Sequence, residues 1–389
     1  MKGIMMRYRK LGRSGLDVSE IGLGCEHLQD KDYQSVESVI SEARARGINI
    51  MDVFMSEPQI RTDIGRAISG TRDKWIIQGH IGAAWKDGQY LRSRDIAENK
   101  FFFEDLLERL QTGFIDIGML HFVDTESDYA SVFETEIIDY ARELKKSGKI
   151  NLIGLSSHNP AVAKKAVETG LVDVLMFSVN PAFDLLPSMD DINELFKPEK
   201  IRKHATRGTH PDRAALYAAC VEHGSAITVM KTFGGGTLFY KDVSFFGQPI
   251  KPNPLINFAL TRPAVASALI GCVNAEQVRL AASFDPESAE SDFAFLYELD
   301  PKYKAEGQCL YCNHCLPCAS GIDIALVNKY VDLSGVSIGK ALPPTVAAHY
   351  WEQEVSASDC AGCGECEKRC PFGVKIIERM KLAQTVFGK

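Results

Sequence analysis

The chain has 389 residues, 45% of them hydrophobic and 24% charged, a composition that suits a large folded core and excludes a disordered chain. A formal net charge of -7 argues against nucleic-acid and anionic-membrane partners, which select basic faces. The opening MKGIMMRYRKLG lacks the apolar run of a signal peptide, and no stretch approaches the length of a membrane span. The expectation is therefore a cytoplasmic protein acting on a small molecule, with neither nucleic acid nor membrane as partner.

In chain order, RYRKLGRSGLDVSEIG reads as a hairpin with Gly12 and Gly15 as turn residues. After it, short runs rich in β-branched residues alternate with amphipathic segments of helical length, the pattern of repeated βα units around a parallel sheet. The strand candidates are Ile21–Cys25, Ile48–Val53, Trp75–His80, Ile115–His121, Leu152–Ser156, Val172–Asn180, Ala226–Lys231 and Ala266–Gly271. Helical stretches follow them, from SVESVISEARARG after the first to NAEQVRLAASF after the eighth. Eight such units predict a TIM (β/α)8 barrel over residues 1–298, an α/β fold.

Two long segments interrupt the rhythm. One runs from Pro181 to Asp212 after the sixth strand; the other, GGGTLFYKDVSFFGQPIKPNP, follows the seventh. Loops at the carboxyl ends of barrel strands build active sites, so both are candidate lids or substrate walls. Past Asp300 two cysteine groups bracket segments of helical period, ALVNKYVDL and PTVAAHYWEQEV. Residues 299–389 thus read as a separate, small, mainly α-helical domain.

RYRKLGRSGLDVSEIGLG, INIMD, IDIGMLH, GLSSHNP, VMKTFGGGTL and ALIGCVNAEQV, occurring in this order, together resemble the aldo-keto reductase family. The resemblance implies carbonyl reduction by hydride transfer from a nicotinamide cofactor laid across the top of the barrel. It also implies a catalytic aspartate, tyrosine, lysine and histidine at the ends of strands two to four. Asp52 and His121 match the aspartate and the histidine, but Glu57 stands where the tyrosine is expected and His80 where the lysine is. Asp52, His80 and His121 end three consecutive strands, so a titratable group converging on one mouth is expected, and histidine can take over proton donation. The rival expectation for His80 is simple space filling.

The implied nicotinamide site is altered too. Ser178 precedes Asn180 where a glutamine is usual, Met230 replaces a stacking aromatic ring, and Leu280 and Ala281 stand in place of a glutamate and an asparagine. Ser156, Asn180, Lys231, Gly271 and Asn274 remain as candidate cofactor contacts, with Arg279 as a candidate for a 2'-phosphate of NADP(H). The helix opening at Asn274 would present free N–H groups to an anion.

Eight of the eleven cysteines lie between Cys309 and Cys370, and in a reducing compartment clustered thiols read as metal ligands. Cys220 reads as core packing; Cys25 and Cys272 follow strands. DCAGCGECEKRCPFGV places Cys360, Cys363, Cys366 and Cys370 in the bacterial ferredoxin run C-x2-C-x2-C-x3-C-P. Zinc is the rival, but it typically takes two separated pairs of ligands. Cys309, Cys312, Cys315 and Cys318 form the first group, with its last spacing shortened and Pro317 ahead of Cys318 instead of after it. By ferredoxin logic Cys309, Cys312, Cys315 and Cys370 hold one 4Fe-4S cluster, and Cys360, Cys363, Cys366 and Cys318 the other. The shortened spacing also admits four local ligands, or a single cluster. His314 reads as a solvated loop residue.

The whole chain is similar to a subfamily of aldo-keto reductases with a carboxy-terminal ferredoxin-like domain. That resemblance implies an oxidoreductase in which the barrel holds the substrate and the clusters pass single electrons. Coupling them to a two-electron hydride donor calls for a flavin such as FMN, a radical-tolerant substrate or a redox protein partner. The alternative is a non-catalytic electron-transfer or interaction protein that uses the barrel as scaffold.

Overall fold

The computed structural model describes residues 5–191, 204–206, 208–299, 307–335 and 341–389. Twelve strands occur among them: β1 (Tyr8–Lys10), β2 (Asp17–Ser19), β3 (Ile21–Gly24), β4 (Ile50–Val53), β5 (Ile76–Ile81), β6 (Ala83–Lys86), β7 (Gln89–Arg92), β8 (Ile115–Leu120), β9 (Ile150–Ser157), β10 (Val174–Ser178), β11 (Ala226–Met230) and β12 (Val265–Gly271). Eight of them, β3, β4, β5, β8, β9, β10, β11 and β12, pair in parallel and close into a barrel. The expected hairpin is the antiparallel pair of β1 and β2.

Helices cover the outside of the barrel: α1 (Tyr33–Ala45), α2 (Pro58–Ala67), α3 (Ile96–Arg109), α4 (Glu126–Phe133), α5 (Glu136–Lys146), α6 (Pro160–Glu168), α7 (Pro211–His223), α8 (Pro252–Thr261) and α9 (Ala275–Ala282). Their starts are written locally. Asp32, Asp95 and Asn159 each accept a backbone N–H of the first turn, which satisfies donors that a helix end leaves open. Two cores result, as a barrel requires. Ile50, Ile117, Met119, Val174, Met176, Met230 and Leu269 fill the interior, stoppered by Leu11 and Val18 of the hairpin, and a larger shell lies between strands and helices.

Two expected strands are shorter than read by more than a single residue, for identifiable reasons. The second starts at Ile50 because the Asn49 side chain is committed to the hairpin, accepting from Ser19 N at 2.8 Å and donating to Asp17 O at 2.9 Å. The sixth ends at Ser178 because Asn180 Oδ1 accepts from Ala182 N and Phe183 N and turns the chain there. Of the segment after β10, residues 192–203 and 207 lie outside the described residues. The loop after β11 forms compact turns whose Tyr240 is 67% exposed.

Helices α2 and α3 meet backbone to backbone at Gly65. A Cβ there would stand 2.2 Å from Arg109 O and 2.8 Å from Leu110 Cα. Alanine normally favours a helix interior by about 1 kcal/mol over glycine, yet overpacking against backbone costs roughly 1–3 kcal/mol. Gly65→Ala is therefore expected to lower the denaturant midpoint, and a raised midpoint would show that the two helices can part.

The expected boundary between 298 and 299 falls beside residues 300–306, which lie outside the described residues. Beyond it the described secondary structure is helical: α10 (Ile324–Leu333), α11 (Pro344–Trp351), α12 (Glu365–Arg369) and α13 (Ile376–Phe387), with a short 3-10 turn at Ala357–Asp359. This part packs against α7 and α8 through a continuous apolar core that includes Phe258, Leu310, Val327 and Phe372. The buried Arg262 donates to Leu310 O at 2.5 Å, Thr345 donates to Glu222 O, and His314 faces Asp292 at 3.1 Å.

Candidate active site and cysteine cavities

Register decides which side chains reach the mouth of the barrel. Asp52 pairs with Gln78 and His80 with Met119 across parallel strands, and alternate residues of a strand share a face. Gln78 and His80 therefore both point to the barrel interior, toward Asp52. His121 follows β8 directly, its N–H donating to Ile81 O. The three expected groups form one chain: Asp52 Oδ1 to His80 Nε2 at 3.0 Å, then His80 Nδ1 to His121 Nδ1 at 2.7 Å. Gln78 Nε2 donates to the same Asp52 oxygen at 3.0 Å. None of the three is more than 4% exposed. Burial, and then the neighbouring basic side chains of His80, Arg94, Arg92 and His158, hold the His121 imidazole far below its usual value, so it is neutral near pH 7.

A fourth member was missed in the sequence. Tyr90 sits on the antiparallel hairpin of β6 and β7, and its hydroxyl lies 2.5 Å from His121 Nε2. The hairpin turn is Asp87-Gly88, with φ of 51° and 74°, and this dipeptide is a strong short-range hairpin signal that was there to be read in AAWKDGQYLR. Arg94 ties the hairpin down by donating to His121 O at 3.0 Å and Phe122 O at 2.8 Å, and Arg92 lies over the Phe122 ring. Phe54 stacks parallel to His121 and meets His80 and Tyr90 edge-on. Tyr90 alone of the four reaches the surface, at 39% exposure.

Glu57 stands apart from this chain. Pro58 starts α2 directly after it, and its carboxylate caps that helix, accepting from Gln59 N at 2.9 Å and Ile60 N at 2.6 Å. The position expected to carry acid-base chemistry is thus occupied by a helix cap. A further buried pair, Asp124 with His158 at 2.8 Å, lies at the ends of β8 and β9, next to His121 through the Phe122 ring.

The candidate cofactor residues are placed unevenly. Ser156 is buried near the end of β9. Asn180 spends its amide on the turn described above and on Lys231 O. Burial lowers the Lys231 ammonium, against the raising influence of Glu26 and Asp124. The His27 ring lies against Gly271, Asn274 caps α9 by accepting from Gln277 N, and Arg279 is paired with Glu42 at 3.2 Å. Ser178 Oγ, at the end of β10, and Thr232 Oγ1, two residues past β11, are buried with no hydrogen-bond partner among the described residues.

The eight clustered thiols line two cavities. The larger, about 230 Å³, is lined by Cys318 together with Cys360, Cys363 and Cys366. The smaller is lined by Cys309, Cys312 and Cys315 together with Cys370. Each therefore takes three thiols from one motif and the fourth from the other. Arg369 fastens the motifs together, donating to Cys315 O at 2.8 Å and Pro317 O at 2.7 Å, and Gly307 N donates to Phe372 O. Among the described residues no three Cys, His, Asp or Glu side chains gather tightly enough for a single metal ion.

The aldo/keto reductase family model matches residues 20–248, more than half of the chain. The chain belongs to the aldo/keto reductase family. An uncharacterized oxidoreductase, YqkF, of Bacillus subtilis is 34% identical over 176 residues, 44% of this chain and 56% of that protein. Aldo-keto reductase YhdN of the same organism is 29% identical over 39% of this chain and 47% of its own length. The match thus spans about half the length of these curated relatives. Among solved structures, an aldo-keto reductase of Bacillus halodurans in its holo form superposes with a TM-score of 0.58 at 23% identity, covering 77% of this chain and 97% of that one. One from Klebsiella pneumoniae, in complex with NADPH, gives 0.53 at 17% identity over 77% and 96%. These likenesses establish the aldo/keto reductase barrel fold.

Proposed function

We propose that this aldo/keto reductase is an iron-sulfur oxidoreductase that interconverts a small carbonyl compound and its alcohol at the carboxyl-terminal mouth of the barrel. The observation that carries the reading is the crossed arrangement of the thiols, three from one motif and one from the other around each of two cavities. That is the ligand pattern of a two-cluster ferredoxin, and four thiols spread around a cavity suit a cluster better than a tetrahedral zinc ion, which draws its ligands to a single point. Cys309, Cys312, Cys315 and Cys370 would hold one 4Fe-4S cluster, and Cys318, Cys360, Cys363 and Cys366 the other. Such clusters supply single electrons. Cys363 is exposed, which sets the second cavity at the surface, where a redox protein would exchange electrons.

At the mouth, the buried chain of Asp52, His80 and His121 supports acid-base chemistry, because a neutral imidazole held between two partners can both take and give a proton. NADP(H) is the candidate hydride carrier, by likeness to the NADPH-bound relative from Klebsiella pneumoniae. The fit at this chain's residues rests on the unpartnered hydroxyls of Ser178 and Thr232, since buried polar groups normally have partners. Lys231 and the amino end of α9 at Asn274 provide positive potential for phosphates. Arg279 would have to leave Glu42 to meet a 2'-phosphate.

The test is an anaerobic titration of the iron-loaded protein with NADPH while the visible cluster absorption is followed. Binding of NADPH is expected, and bleaching without an added mediator would mean that the protein itself divides the hydride's electron pair between single-electron clusters. Failure of both NADPH and NADH to bind would overturn the nicotinamide reading and favour a barrel that serves only as scaffold for electron transfer.

A further inference from the structure

We infer that Tyr90, carried on the β6–β7 hairpin, is the proton donor to the substrate oxygen, and that Asp52, His80 and His121 form the relay that refills it. The inference rests on the carbonyl reading above and names the group that touches the substrate. Three facts converge on it. The tyrosine implied by the family is replaced by Glu57, whose carboxylate is committed to capping α2. A phenol from another element enters the same cluster, its hydroxyl 2.5 Å from His121 Nε2. Of the four linked groups only this one is open to solvent at the mouth, the others being at most 4% exposed.

The hydrogen-bond geometry allows two proton arrangements that differ by one proton. An ionised Asp52 can only accept, so His80 Nε2 carries a hydrogen in both. In the loaded arrangement His80 is an imidazolium paired with Asp52, its Nδ1–H donates to His121 Nδ1, His121 Nε2–H donates to the Tyr90 oxygen, and the Tyr90 hydroxyl points to the substrate. A bound reduced nicotinamide would supply the hydride for the new C–H bond, with the π electrons of the carbonyl moving to oxygen. The Tyr90 O–H bond breaks as the alcohol O–H forms. Tyr90 then takes the His121 Nε2 proton, and His121 Nδ1 takes the His80 Nδ1 proton. The carbonyl has been reduced, the nicotinamide oxidised, and one proton has left the Asp52–His80 pair, to return from solvent along the same path. His121 is neutral before and after, consistent with its buried, cation-flanked position. Burial also lifts the Tyr90 phenol, to about 12, against the lowering influence of Arg92 and Arg94, so the hydroxyl is protonated at neutral pH; an alkoxide is a stronger base than a phenolate and still draws the proton away.

The experiment uses the full-length, iron-loaded protein. Tyr90→Phe is assayed anaerobically with NADPH against a panel of aliphatic and aromatic aldehydes, and histidine side-chain 15N spectra are recorded for both proteins. The expected result is a loss of about 10²-fold or more in kcat/KM, unchanged NADPH affinity and iron content, and displaced ring resonances of His121 and, through the Nδ1 contact, of His80. A wild type that reduces aldehydes together with an unimpaired Tyr90→Phe overturns the donor role alone. Unmoved His121 resonances overturn the relay. A wild type that reduces none of the aldehydes overturns the carbonyl reading and the donor role with it.

Discussion

Replacing His121 with alanine is expected to lower carbonyl turnover by roughly 10²–10⁴-fold, the range that general acid-base catalysis supplies, with no change in bound iron. His121 joins His80 at 2.7 Å to Tyr90 at 2.5 Å, so its removal cuts the chain, leaving the Tyr90 hydroxyl without its ring partner and His80 with Asp52 alone. Because the ring is buried beside Phe54 and Phe122, the substitution leaves a cavity of imidazole shape. Added imidazole should restore part of the activity, which a general loss of packing would not permit. Unaltered turnover would remove His121 from the site.

The same variant changes the pH dependence of stability in a defined direction. A histidine whose folded value is depressed stays neutral in the native state, while in the unfolded chain it binds a proton as pH falls through about 6.5. Unfolding then takes up a proton, and stability drops with falling pH by up to about 1.4 kcal/mol per pH unit for such a group. The depression of His121 comes from burial first and neighbouring cations second, so this loss begins below the unfolded value. His121→Ala should flatten the acid limb of stability measured by denaturant midpoints between pH 6.5 and 5, and an unchanged slope would mean that the buried ring does accept a proton.

The barrel was legible because its signal is redundant: eight short runs and their helices repeat, and an error of a residue or two at Asn49 or Asn180 does not alter the order. Asp52, His80 and His121 were legible for a related reason, since residues ending consecutive parallel strands must face one mouth. Tyr90 was not, because nothing in local periodicity says that a hairpin inserted after β5 folds back over its own barrel. Its Asp87-Gly88 turn could be read; its contact with His121 depends on Arg94 reaching carbonyls of the β8 end, a tertiary event. Glu57 illustrates the converse. Its alignment with the family tyrosine suggested chemistry, while the proline after it announced a helix start, and the local rule describes what its carboxylate does. Likewise the shortened spacing before Cys318 gave no sign that this thiol lines the same cavity as Cys360, Cys363 and Cys366.

Cys318→Ser and Cys370→Ser form the second pair of large expected effects, because they separate crossed from local ligation. In the crossed arrangement Cys318 completes the cavity of Cys360, Cys363 and Cys366, and Cys370 that of Cys309, Cys312 and Cys315. Each substitution should therefore cost about half of the bound iron by emptying one four-thiolate site. Which thiols are set free decides the matter. Thiol alkylation mapped by mass spectrometry should label Cys360, Cys363 and Cys366 in Cys318→Ser, and Cys309, Cys312 and Cys315 in Cys370→Ser. Label on the first-motif cysteines in Cys318→Ser would establish local ligation instead, and loss of all iron from either variant would mean that the two sites are obligately coupled. Coupling has a physical route, since Arg369 lies between Cys366 and Cys370 in sequence and bonds the backbone of Cys315 and Pro317. Metal binding and local folding share one free energy, so a site that loosens on losing its cluster passes its disorder through that guanidinium to the other. The barrel should be spared in either case: its interior core of Ile50, Ile117, Met119 and Met176 is a separate apolar cluster, so thermal unfolding of the barrel is expected to survive the loss of one cluster even where electron transfer does not.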